Sequence, residues 1–256
     1  MANILILQPS AVSTIAVSRG SGAANLLTPD PKEIWLDGAV GSAATIDLDF
    51  GFAVAIDTVF LGYVIGPAAG ATWTITGGLS GYAETVLKAG GALRVADSAG
   101  QAPSTSHGLW TGASATVRYL RVSVTQPAGN TPLSAGVVMA GACFQPAWNK
   151  EWGSGRGVID TGVSTRLPGG GFANVPGARL GSYNWTLGDL SSAEVDALYA
   201  IAQAVGETSP VLVIEDPAAT VGLRNRIHYG LFKGLRPFER RNPKQTRWDF
   251  KIEEWI

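Results

Sequence analysis

Short runs of alternating apolar and polar residues recur along the first 145 residues of the chain. The run Ala44 to Phe50 reads ATIDLDF, with an apolar residue at every second position. Gly, Pro or Asp interrupts such runs about every eight to twelve residues, a spacing typical of short antiparallel strands joined by turns. The pattern predicts a β-sandwich. Its candidate strands are Ile4 to Leu7, Ala44 to Phe50, Thr58 to Val64, Thr72 to Thr76, Tyr82 to Leu87, Thr116 to Thr125 and Gly136 to Phe144.

One long segment of this region, Ala96 to Ser114, is predicted as a loop. Its polar residues lead to a single large aromatic residue, Trp110, and include His107. Long loops on a rigid sandwich are places where binding residues tend to lie. We therefore interpret Trp110 and His107 as candidate glycan contacts, because an indole face stacks well on a sugar ring.

The pattern changes near residues 145–149, where more charge and a helical period enter. Ser191 and Glu194 have the spacing of a capping box. Apolar residues then follow at intervals of three and four, and Gly206 supplies a stop, which together predict a helix over residues 192–205. The apolar positions of this helix are Val195, Leu198, Tyr199, Ala202 and Val205. Strands are predicted around it at 181–187, 210–215, 227–235 and 246–255.

The charge balance argues against a nucleic-acid or acidic-lipid partner. The net charge of the 256 residues is −1, whereas such partners usually select a strongly basic surface. A local basic surplus lies in a predicted hairpin loop between two strands. We interpret it as a set of inter-subunit contacts, with a solvated loop as the alternative and nucleic acid as the least favoured partner. The residues concerned are Arg236, Arg240, Arg241, Lys244 and Arg247.

The single cysteine and the flanking sequence bear on the compartment. Cys143 is the only cysteine, so an intrachain disulfide is excluded, and its apolar surroundings predict a buried structural thiol. The start of the chain lacks the pattern of a secretory signal, and no run is long enough to span a bilayer. We expect synthesis in a reducing cytoplasm and no membrane insertion.

Candidate catalytic chemistry is sparse. The two histidines, His107 and His228, have no supporting spacing, and His228 is predicted to be a structural residue in a strand. Asp47 and Asp49 fall on the outward face of a strand, where solvated charges are expected. The Gly-rich segments 153–157 and 169–171 lack a phosphate-binding motif and are interpreted as flexible loops. We expect no catalytic residue, no metal and no cofactor, so the chain is predicted not to be an enzyme.

Three segments of the first region form a recognisable set: Trp35-Leu36-Asp37-Gly38, the strand Thr45-Ile46-Asp47-Leu48, and Val117-Arg118-Tyr119-Leu120-Arg121-Val122. In these segments the region resembles the galactose-binding, discoidin-like jelly-roll superfamily. The resemblance covers about 140 residues and implies an N-terminal jelly-roll β-sandwich over residues 1–145.

The second region combines Trp185-Thr186-Leu187 before the capped helix, Val205-Gly206 at its end, and the closing segment Arg247 to Trp255. In these segments it resembles the distal tail and minor tail proteins of long-tailed bacteriophages. The resemblance implies a C-terminal β-sandwich or split barrel over residues 148–256 that carries the helix 192–205. The expected fold class is therefore mainly β.

The two resemblances together imply a structural virion protein of the tail tip, made in the host cytoplasm. Its partners would be other tail proteins and copies of itself in a homo-oligomeric ring, a hexamer or a trimer, and its first domain would contact a host surface glycan. The alternative is a free-standing carbohydrate-binding adhesin or lectin. A glycan-cleaving enzyme is a third hypothesis, for which no acid pair or histidine dyad is placed.

Overall fold

The computed structural model of the chain describes residues 2–66, 70–100 and 105–255, which form a mainly β structure with one α-helix. Two compact units are present. The first comprises Met1–Gln145 and Val211–Ile227, and the second Pro146–Pro210 and His228–Ile256. The division after Gln145 lies at the predicted change of pattern. Residues 211–227, which the sequence placed with the second region, group with the first unit.

Most strands of the first unit form one antiparallel sheet, and β1 and β14 pair outside that sheet. In the sheet the order is β3-β8-β4-β7-β5-β6, and β2 and β9 also pair with β4, while β1 pairs with β14. Strand bounds are β1 Leu5–Leu7, β2 Thr14–Val17, β3 Trp35–Leu36, β4 Ala43–Ile65, β5 Thr72–Gly78, β6 Thr85–Ala92, β7 Thr105–Thr125, β8 Ser134–Ala135, β9 Val137–Gly141 and β14 Val211–Ile214. Short 3-10 helices lie at Ala23–Leu27 and Arg224–Arg226.

The long pair β4 and β7 organises the first unit. The predicted strands Ala44 to Phe50 and Thr58 to Val64 are two parts of β4, because the interruptions between them are register shifts rather than turns. Strand β7 begins at Thr105, so the predicted loop was wrong for residues 105–114. Those residues pair with the second half of β4. Residues 101–104 of the predicted loop lie outside the described residues.

The core of the first unit is built from the inward positions of these strands. Side chains at alternate positions of β4, β5 and β7 are fully buried, together with Trp35 and Trp73. Strand β14 is buried at all four positions and pairs with β1 in the register Leu5 to Ile214. A continuous apolar run of this kind predicts burial on both faces of a strand.

The second unit forms a sheet in the order β15-β17-β13-β10, with β16 on β17, and a separate ribbon of β11 and β12. Bounds are β10 Gly155–Asp160, β11 Val163–Arg166, β12 Phe172–Val175, β13 Arg179–Leu190, β15 Ile227–Phe232, β16 Glu239–Asn242 and β17 Gln245–Glu254. Glycines 155 and 157 belong to β10, so the interpretation of residues 153–157 as a flexible loop was wrong from residue 155 onward. Glycines 169–171 lie in the connection between β11 and β12, outside both strands.

The predicted helix is confirmed as α1, Ser192–Val205, with the Ser191 and Glu194 capping box at its start. It buries Val195, Leu198 and Val205, whereas Tyr199 is 48% exposed. The sheet presents a column of stacked rings. Tyr183 stacks on Trp185 with ring centroids 5.2 Å apart, and Trp185 stacks on Phe250 at 5.4 Å. All three rings are buried, so the column forms part of the core of this unit.

Candidate functional site

A polar cleft of about 300 Å³ opens on the first unit. Its lining comes from β1, β4, β7, the segment after β9 and the segment after β14. The volume lies at the lower end of the range for ligand-binding clefts. The residues that line it are Leu5, Asp57, Thr58, Thr111, Gly112, Cys143, Gln145 and Pro217.

Asp57 is the charged group of this cleft. Its Oδ1 atom accepts hydrogen bonds from the Cys143 backbone N–H at 2.9 Å and from the Thr58 hydroxyl at 2.8 Å. The Cys143 thiol in turn donates to Thr58 Oγ1 at 3.1 Å. The Cys143 N–H and the Thr58 hydroxyl both donate to Oδ1 of Asp57. The other oxygen, Oδ2, accepts no hydrogen bond from the residues that the structure describes. The fixed carboxylate therefore keeps one oxygen available to a ligand in the cleft.

Cys143 contributes shape to the cleft and no nucleophile. Burial raises the pKa of its thiol to about 12, and this effect outweighs the hydrogen bond with Thr58, which acts in the opposite direction. Nucleophilic attack requires the thiolate, which is scarce near neutral pH when the pKa is so high. The prediction of a structural thiol agrees with this environment.

Trp110 adjoins the cleft, and His107 does not. Both lie on β7, where successive side chains point to opposite faces. The half-buried Trp110 packs against the core, and a Cβ at the cleft residue Gly112 would lie 2.4 Å from its Cζ2 atom. His107 instead accepts the Tyr63 backbone N–H at Nδ1, 3.1 Å away, and its ring lies 5.2 Å from that of Phe60. The two candidate glycan contacts are thus not brought together.

Asp47 and Asp49 are paired rather than solvated. Arg121 binds both Asp47 oxygens at 2.6 Å, and Arg118 binds the Asp49 oxygens at 3.0 and 3.2 Å. The Arg121 guanidinium also lies 5.1 Å from the centre of the Tyr82 ring. Since each carboxylate is held by an arginine, this face of the sheet is a structural network, and the sequence interpretation is corrected accordingly.

The basic residues of the second unit lie on and beside the hairpin of β16 and β17. Arg241 and Arg247 both approach Glu151, at 3.2 and 3.7 Å. Arg236, Arg240 and Lys244 are exposed and form no ion pair with the described residues. The structure therefore separates the five candidate inter-subunit residues into two with an acidic neighbour in their own unit and three without one. Their role in subunit contacts stays a prediction.

His228 is held as a structural residue. Its Nδ1 atom lies 2.7 Å from Glu254 Oε1, its side chain is 3% exposed, and its ring stacks on Tyr183 with centroids 4.9 Å apart. Among the described residues, no group of three or more His, Cys, Asp or Glu is placed to hold a metal ion. No helix in the described part of the chain is long and apolar enough to cross a membrane.

Sequence reasoning missed Asp57 and the cleft around it. The available signal was an acidic residue, Asp57, that together with Thr58 interrupts the otherwise apolar run from Val54 to Leu61. An acid in such a run is unusual unless it is paired or bound. The other lining residues are too far apart in sequence for their spacing to indicate a site.

Comparison with known proteins gives matches at the level of solved structures. Neither the protein-family models nor the curated proteins match this chain. The carbohydrate-binding module of family 32 from AlyQ, in complex with 4,5-unsaturated mannuronic acid, is 19% identical. The match covers 52% of this chain and 98% of that one, with a TM-score of 0.39.

Two further structures give similar values. Chitosan-binding module 1 of a chitosanase/glucanase from Paenibacillus sp. IK-5 is 17% identical, with 53% of this chain and 100% of that chain covered and a TM-score of 0.42. The third family 32 module of a family 31 glycoside hydrolase from Clostridium perfringens is 16% identical. The match covers 54% of this chain and 94% of that one, with a TM-score of 0.40.

Proposed function

We propose that this chain is a non-enzymatic structural subunit of a long-tailed phage tail tip, and that its first unit binds a host glycan in the Asp57 cleft. The observation that supports glycan binding is the fixed Asp57 carboxylate, with one oxygen engaged by Cys143 and Thr58 and the other left for a ligand. A carboxylate of this kind accepts hydrogen bonds from sugar hydroxyls, and charge-assisted hydrogen bonds are the stronger ones.

The rest of the cleft suits the same ligand chemistry. Thr111 and Gln145 are exposed and add a hydroxyl and an amide, both of which can donate to and accept from hydroxyl groups. Leu5 and Pro217 supply apolar surface for the ring carbons of a sugar. The modest volume favours one sugar residue, or the end of a glycan chain, over a long polysaccharide.

Glycan binding is tested by comparing Asp57→Asn with the wild type on a glycan array and by calorimetry with the best glycan. The asparagine keeps the acceptor for Cys143 and Thr58 and removes the charged Oδ2, so the fold is retained. We expect affinity to fall at least tenfold, since a hydrogen bond to a charged group contributes about 1.5 to 3 kcal/mol.

Asp30→Asn is the matched control, because it makes the same chemical change outside the cleft, at a carboxylate whose hydrogen bond is with the nearby Lys32 backbone N–H. It should bind like the wild type. Unchanged affinity in Asp57→Asn, or a wild type that binds no glycan on the array, would refute this part of the proposal.

The structural role in the virion needs a separate test. Mass spectrometry of purified phage particles should detect the chain, and antibody labelling in electron microscopy should place it at the tail tip. A chain that binds glycan but is absent from the particles would favour the free-standing lectin instead.

A further inference from the structure

The second unit extends a long exposed segment. Every residue from 160 to 179 is exposed, and within this segment β11 and β12 form a two-stranded ribbon that pairs with no other described strand. We call residues 160–179 the arm. Isolated two-stranded hairpins are at best marginally stable in water. Such an arm gains stability when another surface covers it.

The base of the arm is fixed to the unit. Arg179 Nε pairs with Asp160 Oδ2 at 3.0 Å, and Thr161 N–H donates to the Ala178 carbonyl at 3.0 Å. Just beyond, the backbones of Gly162 and Gly177 approach so closely that a Cβ at Gly177 would lie 2.2 Å from the Gly162 nitrogen. The arm therefore leaves the unit in a defined direction.

The two faces of the ribbon differ. Residues directly opposite each other in an antiparallel pair share a face. Val163 lies opposite Val175, and Thr165 opposite Ala173, which gives one uncharged and largely apolar face. The other face carries the Ser164 and Asn174 pair, joined by a 2.6 Å hydrogen bond, and the Arg166 and Phe172 pair.

The apolar face of the arm offers a modest exposed area for association. On the apolar face, Val163 and Val175 expose 61% and 68% of their surface, and Leu167, which follows β11, exposes 47%. Burying one such side chain removes roughly 60 to 120 Å² from water, as judged from its transfer free energy. Three such side chains remove about 180 to 360 Å² at most, which is small beside the roughly 800 Å² per partner of a standard interface, so we expect weak association at each contact.

A complementary surface lies on the second unit itself. An apolar groove of about 410 Å³ runs between α1 and the segment before β16. Its main apolar lining is Tyr199, Leu235, Pro237, Phe238 and Trp248, of which Tyr199 and Phe238 are 48% and 41% exposed. The indole N–H of Trp248 donates to the Arg236 carbonyl at 2.8 Å, which fixes the groove floor.

We propose that the apolar face of the arm packs in the groove of a second copy of this chain. The contact joins two different surfaces, so it is head-to-tail, and repeated copies form a closed ring or an open filament. This inference rests on the proposed role as an assembly subunit and names the surfaces that assemble. It makes no use of the glycan cleft.

The test measures self-association of the full chain by sedimentation. Val163→Asp with Val175→Asp places charges on the apolar face, and Ser164→Asp with Asn174→Asp places the same charges on the opposite face as a matched control. We expect the first pair to weaken association at least tenfold and the control to associate like the wild type. Circular dichroism verifies that each variant is folded.

The groove is tested with Phe238→Asp, controlled by Val86→Asp at an exposed apolar residue of the first unit. Phe238→Asp should be monomeric alone. Mixed with the arm variant it should form a dimer and nothing larger, because each partner then contributes one intact surface. Assembly that survives Phe238→Asp would overturn the groove as the docking site.

Two other results would also overturn the inference. In one, the arm variant and its opposite-face control weaken self-association equally. In the other, the wild-type chain stays monomeric up to about 1 mM. Glycan binding by the monomeric variants is measured separately, so a failed assembly test and a failed glycan test remain distinguishable.

Discussion

Replacing Glu194 by alanine tests how the start of helix α1 is held. The Glu194 carboxylate accepts the Ser191 N–H at 2.8 Å and the Ser191 hydroxyl at 2.6 Å through Oε2. Its Oε1 accepts the Ala147 N–H at 2.7 Å. The reverse bond of the capping box, from the Glu194 N–H to Ser191 Oγ, is long at 3.4 Å. Most of the capping interaction therefore depends on the carboxylate.

The distances set the expected magnitudes. Glu194→Ala removes the acceptor of three donors, two of them backbone N–H groups, and should lower the free energy of unfolding by about 1.5 to 2.5 kcal/mol. Ser191→Ala removes the long hydrogen bond from the Glu194 N–H and the hydroxyl that donates to the Glu194 carboxylate. It should lower the free energy of unfolding by about 0.5 to 1 kcal/mol. Asp196→Ala, an exposed acid of the same helix, is the control and should change stability by less than about 0.5 kcal/mol.

The contribution of Glu194 should depend on pH. Burial acts to raise the pKa of Glu194, and the hydrogen bonds from Ala147 and Ser191 outweigh it, so the pKa lies below its ordinary value. A group with a lowered pKa in the folded state stabilises the protein above its unfolded pKa, near 4.5. That stability is lost as the pH falls through the folded pKa. The difference between wild type and Glu194→Ala should therefore shrink below about pH 4.5.

Urea denaturation followed by circular dichroism at a helical wavelength measures these differences, because α1 is the only α-helix among the described residues. The reasoning is refuted if Ser191→Ala destabilises the protein more than Glu194→Ala. It is also refuted if the difference between wild type and Glu194→Ala grows as the pH falls below 4.5.

Two further predictions concern the first unit. Because burial raises the pKa of Cys143 to about 12, its thiol should resist modification at pH 8 in the native chain and react fully in urea, as measured with a chromogenic disulfide. Because the pKa is raised on folding, the stability linked to the protonated thiol should be present below about pH 9 and lost as the pH rises towards 12. Fast labelling of the native chain would contradict the burial of the thiol. The bidentate pair of Arg121 and Asp47 should show a coupling of about 1 kcal/mol in a double-mutant cycle, at the upper end for partly exposed pairs. A coupling near zero would mean that the pair is only a surface contact.

Much of the second unit could be predicted from neighbouring residues. The helix bounds follow from the spacing of Ser191, Glu194 and Gly206, which act within one or two turns. In β17, Trp248, Phe250 and Ile252 alternate with polar residues and are buried as their period predicts. These features are local, because a helix or a strand face is set by residues a few positions apart.

Other elements could not be predicted because their pattern is incomplete. The segment 105–114 has two glycines and little alternation, so it resembles a loop, yet it pairs with the second half of β4. Residues 155–157 were interpreted as part of a flexible loop for the same reason, yet they belong to β10 and pair with β13. In both cases the strand is defined by hydrogen bonds to a partner strand, which hydrophobic periodicity does not report.

The sequence by itself determined the mainly β character, the single helix and the strand faces that its period defines. Only the tertiary structure decided that β14 pairs with β1, and that Asp57, Thr111, Cys143 and Pro217 line one cleft. Residues that line this cleft are separated by up to about two hundred positions in the sequence. They lie close together because strands that are distant in the sequence pair with each other. Such long-range contacts depend on how whole elements pack, which no local pattern of residues specifies.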